Sequence, residues 1–161
     1  MKTLENPVPD PRGGATMRAL RALALCLFVF GCLGTGVELM LLEHHEELWQ
    51  RLPLWLLAAG LLLAVATVVM RGGRSLRSFQ VAMIAFVVSG LVGIWLHYGV
   101  NVEFERERYP SLAGAALFEK AVQGATPALA PGSMIQLGLL GLIYTFRHPA
   151  LRGRRSIDSG D

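Results

Sequence analysis

Leu52–Met70 reads LPLWLLAAGLLLAVATVVM and holds no charged residue. A helix apolar on every side belongs in a protein core or in lipid, and with only 17% of residues charged the composition points to lipid. At a rise of about 1.5 Å per residue, the stretch crosses a hydrocarbon core roughly 30 Å thick. It therefore predicts a membrane span. Pro53 suits the first turn of that helix, where a missing N–H is no loss. Trp49 and Trp55 bracket its start, as aromatic residues do at a membrane interface.

Working outward from this span, the preceding stretch Glu38–Arg51 reads ELMLLEHHEELWQR and closes an earlier apolar run over 17–42, whose start is marked by Arg18 and Arg21. On the other side, Arg71-Gly72-Gly73-Arg74 makes a tight basic turn into a third run over 79–98. That run ends in Trp95, His97 and Tyr98, and its Ser89, Gly90 and Gly93 form a small-residue patch of the kind that lets helices approach closely in lipid. A fourth run covers Gly132–Phe146. It reaches span length only when extended back to about residue 128, and Gly138 and Gly141 thin one of its sides.

The connection from Gly99 to Pro131 divides in two. Asn101–Arg108 (NVEFERER) alternates charge sign and reads as extramembrane chain. Tyr109-Pro110-Ser111 reads as a turn with Ser111 as a helix cap. Residues 112–123 place Leu112, Ala115, Ala116, Phe118, Ala121 and Val122 around Glu119 and Lys120, which predicts a short amphipathic helix on the membrane surface. Residues 1–16 are polar and rich in Pro and Gly, so they read as a disordered leader. Residues 149–161 read as a basic and polar tail.

The expected fold is thus all-α: an integral membrane four-helix bundle of antiparallel up-down spans near 17–42, 52–70, 79–98 and 128–146, with a surface helix between spans three and four. Composition agrees, since only 17% of residues are charged against about 25% in soluble domains. A cleaved signal peptide is the rival reading of the first run, with Ala22–Gly31 as its core and Gly31-Cys32 as a lipoprotein-like junction. Phe30 suits that junction poorly, and the apolar run continues to Leu42.

Eleven of the 15 Lys and Arg residues fall beside one set of span ends and four beside the other. The positive-inside rule then predicts a multi-pass protein of the plasma (bacterial inner) membrane with both termini cytoplasmic. The sequence pI is near 9.2, but the basic residues are separated by apolar runs, which argues against nucleic acid as a partner. Cys26 and Cys32 sit six residues apart on one run, too far round a helix for a disulfide.

Ionisable residues within such runs are functional-site candidates by default. Glu38 lies roughly 12 Å above the middle of its run. His97 lies at a similar height on the third run, Asn101 follows it by four residues, and Gln136 begins the fourth. His45 is seven residues past Glu38, two helical turns on. Glu38, His45, His97 and Gln136, with Asn101 at the rim, are therefore expected to converge on an outward-facing polar cluster. It can lock helices together, hold a divalent metal through Glu38, His45 and His97, or relay protons. Haem between His44 or His45 and His97 is a further use, behind a metal. Glu43, His44, Glu46 and Glu47 read as a solvated helix end, with the first helix continuing to Gln50.

Other chemistry finds little footing. LLEHHEEL lacks the second His of a zinc-protease motif, and Gly72-Gly73 lacks the strand and lysine of a phosphate-binding loop. Ser133 has no partner suggesting a nucleophile. The leading expectation is a non-enzymatic structural or accessory membrane component, in contact with lipid and with other membrane subunits or copies of itself. The alternative is a metal- or haem-binding redox or ion- or proton-translocating protein using Glu38, His45 and His97.

Overall fold

The structure, a computed structural model, describes residues 11–43, 48–124, 126–127 and 130–151. Among these every regular element is helical: α1 (Pro11–Leu41), α2 (Leu48–Met70), α3 (Gly73–Arg108), α4 (Gly114–Val122), α5 (Gly132–Thr145) and a short 3-10 turn at Pro149–Leu151. Three helices, α1, α2 and α3, are long and apolar enough to cross a membrane, and α5 is a shorter apolar helix.

Helix boundaries depart from the sequence reading in ways that have local causes. α1 begins at Pro11 and takes in residues 11–16, which composition assigns to the leader. Proline is preorganised for a first helical turn, and the two glycines after it weaken a helix without stopping it. α1 then ends at Leu41 rather than at Gln50, because Glu43 turns left-handed at φ 53°. α2 starts at Leu48, so Pro53 falls inside it rather than in its first turn. There Pro53 leaves one backbone carbonyl of the preceding turn without its usual donor.

α3 is the largest correction. It runs for 36 residues, about 54 Å, straight through the charged NVEFERER segment. Gly99 is the last helix breaker before Pro110, and the residue before a proline resists the helical conformation. α3 accordingly stops at Arg108. The amphipathic helix forms as α4, but Ser111 does not cap it. Ala113 occupies the cap position without a side-chain bond, and Gly114 enters at φ +62°, a conformation suited to glycine. Rather than standing alone, α4 packs on α3 with Leu117 and Ala121 buried.

α5 has 14 residues, about 21 Å, and is preceded by Pro131. It packs on α3 and α1, while α2 packs on α3 and α1. The centre of this arrangement is aromatic. Phe28 meets Phe79 edge to face at 5.3 Å, and Phe79 meets Tyr144 the same way at 5.8 Å, geometries that favour the ring quadrupoles. Met83 and Phe86 fill the layer toward α4, and each is fully buried. Glycines let α5 close on α3: a Cβ at Gly138 would lie 2.7 Å from the Met83 carbonyl oxygen. The Tyr144 hydroxyl shares a 3.1 Å hydrogen bond with Thr67 of α2, and Gln80 of α3 donates to Thr145 at 3.2 Å. Bonds of this kind between helices in lipid contribute about 1 kcal/mol.

Large apolar side chains cover the outside as well. Phe30, Leu41, Trp55, Leu62, Val69, Val81 and Trp95 are all exposed. An apolar outside over this extent has no place in a water-soluble monomer.

Candidate functional site

The C-terminal half of α3 carries His97, Asn101 and Glu105, each one turn beyond the last, so they share a face. α4 and the chain leading to α5 fold back over that face. Asn101 is 2% exposed. Its Nδ2 donates to the carbonyls of Ala121 at 2.9 Å and Thr126 at 2.6 Å, and its Oδ1 accepts from the Thr126 N–H at 3.1 Å. One side-chain amide thus bonds three backbone groups, of which the Ala121 carbonyl, in the last turn of α4, also accepts from the Gly124 N–H at 3.4 Å. The fit is close enough to require Gly124, where a Cβ would lie 2.5 Å from Asn101 Cγ.

One turn earlier, His97 Nδ1 lies 3.2 Å from the Pro127 carbonyl. A carbonyl only accepts, so Nδ1 carries the proton in this bond. His97 and Asn101 together fix both ends of the 121–127 segment. Tyr98 adds a ring contact to Phe118 of α4 at 5.9 Å.

Glu105 completes the face and is the residue the sequence reading missed. It is 8% exposed, and its Oε2 is buried without a hydrogen-bond partner. The signal was present as a four-residue spacing continuing from His97 and Asn101. It was hidden by reading NVEFERER as connection instead of helix.

Two of the remaining candidates are exposed. Glu38 is exposed on α1, with Val37, Met40 and Leu41 exposed around it. Gln136 is exposed on α5. His45, with His44, lies outside the described residues. Among the described candidates, only His97 and Asn101 act on a common segment, and they do so through its backbone groups. Among the described residues, no three His, Cys, Asp or Glu side chains are gathered closely enough to hold a metal ion.

At the opposite end of the helices, Arg21 reaches from α1 to the end of α5. Its Nη2 donates to the carbonyls of Phe146 at 3.1 Å and Arg147 at 2.9 Å. Carbonyls at a helix C-terminus lack intrahelical partners and carry the negative end of the dipole, so a guanidinium suits them. In the sequence Arg21 carries only a topology signal. His148 sits beside this contact with its pKa lowered, first by burial and then by the Arg21 charge.

Comparison of the chain with protein-family models, with curated proteins and with solved structures gives no match. What fold and site define is a class: a helical protein with three helices able to cross a membrane, whose α4 region is tied to α3 by a buried asparagine.

Proposed function

We propose that the chain is a non-enzymatic accessory component of a membrane assembly. In this reading α1, α2, α3 and α5 form an antiparallel four-helix bundle in the plasma membrane. Both termini are cytoplasmic, as the eleven-to-four distribution of basic residues suggests. α5 is short for a span and completes its crossing with the residues before Pro131.

One observation carries the proposal. Glu38 presents a carboxylate on a helix surface that is otherwise apolar and exposed, and no described residue of the chain pairs with it. A carboxylate facing lipid is costly, so intramembrane acids pair with another group or serve a pathway. The outer end of α1 is therefore the contact for a second membrane subunit or a second copy. Gln136 on α5 is exposed too and belongs to the same outward-facing polar set, while His97 and Asn101 hold the α4 segment in shape behind it. His45 joins this set by its place in the sequence.

Photo-crosslinking tests the reading. A photoreactive residue at position 38 is expected to give a discrete protein adduct in the native membrane. The same probe at Leu62, exposed on α2, gives lipid adducts only. Lipid adducts alone at position 38, with a monomer in mild detergent, would overturn the proposal.

A further inference from the structure

A pocket of about 480 Å3 opens between the start of α1 and the chain leaving α5, lined by Gly14, Met17, Arg18, Arg21, Arg147 and Pro149. Half of these residues are arginines, and none is acidic. Three guanidinium groups around one cavity repel each other unless an anion lies between them. Among the described residues, no carboxylate is paired with any of the three.

Two of the three groups are also held in place. Arg21 is oriented by its bonds to the Phe146 and Arg147 carbonyls, which leaves Nη1 without a bond from those contacts. Arg18 precedes it by three residues, so both project from one side of α1. Arg147 takes a left-handed backbone at φ 48° and lays its guanidinium over the Phe146 ring at 5.4 Å. Planar guanidiniums in such an array match the oxygens of a phosphate group.

Size and setting narrow the ligand. A water molecule takes about 30 Å3 of liquid, so the cavity holds far more than a small inorganic ion. Met17 and Pro149 add apolar walls. The two helices that frame the pocket continue as exposed apolar surface at Leu20, Leu23 and Leu27 of α1 and Ile143 of α5, where acyl chains lie alongside. Basic pockets between helices at the cytoplasmic face are the usual receptors for anionic lipid headgroups.

We propose that Arg18, Arg21 and Arg147 form a binding site for the phosphate of an anionic phospholipid headgroup. The proposal rests on the membrane reading above, but not on a partner at Glu38.

Full-length protein in a neutral detergent is titrated with phosphatidylglycerol, phosphatidylcholine or inorganic phosphate, and bound lipid is counted by native mass spectrometry. One tightly held phosphatidylglycerol per chain is expected, with phosphatidylcholine at least tenfold weaker. The double variant Arg18→Gln/Arg147→Gln should lose that preference. Arg74→Gln, which removes an exposed arginine outside the pocket, should keep it. Arg21 stays intact because it tethers α5. Membrane flotation of each variant shows separately whether the chain still resides in the bilayer. Equal binding of both lipids, or a preference surviving the double variant, overturns the site. Displacement of phosphatidylglycerol by millimolar inorganic phosphate overturns the lipid as the source of the phosphate.

Discussion

Asn101 and Thr126 bond each other in both directions, side-chain amide against peptide group, at 2.6 and 3.1 Å. With the further bond to the Ala121 carbonyl, this buried side chain ties both the last turn of α4 and Thr126 to α3. An aspartate at this position keeps the acceptor and loses both donors. Leaving a buried polar group unsatisfied costs about 1–3 kcal/mol. Asn101→Asp is therefore expected to raise hydrogen exchange across residues 121–127 by at least tenfold while α2 and α5 exchange as before. Unchanged protection there would show that α4 docks without Asn101.

A pair of glycines tests how closely α5 packs on α3. A Cβ at Gly138 would meet the Met83 carbonyl at 2.7 Å and Val87 Cγ2 at 2.8 Å, whereas one at Gly34 in α1 meets nothing within 4 Å. The Met83 carbonyl belongs to helix backbone and cannot yield easily. Overpacking of this kind costs typically about 1–3 kcal/mol. Gly138→Ala should lower the thermal midpoint in detergent, and Gly34→Ala should hold or raise it, since alanine favours a helix by roughly 0.5–1 kcal/mol over glycine. Equal midpoints for the two variants would contradict the observed approach of α5 to α3.

These two sites also show what was legible beforehand. Apolar runs of span length are written directly in the sequence, so α2 could be read from Leu52–Met70 alone. The small-residue face of α5 was visible at Gly138 and Gly141. The course of α3 was not, because charge alternation in NVEFERER says nothing against a helix that has left the apolar layer. Once that segment was read as loop, Glu105 could not be placed beside Asn101. The expected convergence of Glu38 with His97 came from matching heights along separate helices. Height does not fix which face a side chain occupies, and the ring contacts of α1 with α3 are made at Phe28, ten residues before Glu38. The role of Asn101 lay beyond sequence reasoning, since it depends on carbonyls brought in from 20 to 25 residues away.

Glu105 offers a test in the stabilising direction. Its Oε2 is buried without a partner, and replacing such a group by an apolar one of similar shape is often neutral or favourable. Methionine matches glutamate in length and adapts to irregular space. Glu105→Met is expected to raise the thermal midpoint or the protection of α4, by an amount corresponding to about 1 kcal/mol. A clear loss of stability would mean that the carboxylate contributes an interaction in the folded membrane protein, and would make Glu105 a functional candidate in place of a strained one.

The chain end after α5 should be acid-sensitive, and His148 sets the direction. Its Nδ1 accepts a hydrogen bond from the Ala150 N–H at 3.3 Å, which only the neutral ring allows. Burial, and then the Arg21 charge, hold its pKa below the ordinary 6.5. The unfolded chain therefore binds this proton more readily than the folded one, and stability rises with pH through that window. The contribution is fully present above pH 6.5 and is lost as pH falls below it and through the lowered folded value. Protonation would break the bond to Ala150 and set an imidazolium beside Arg21, loosening the 3-10 turn at Pro149–Leu151. Proton NMR of labelled histidine should give His148 a titration midpoint below 6.5, and Arg21→Gln should move it partway back up, since burial remains. Phosphatidylglycerol in the arginine pocket should move it in the same upward sense, because an anion offsets the charge of Arg21. A midpoint at or above 6.5 in the lipid-free protein would show that neither burial nor Arg21 controls the ring.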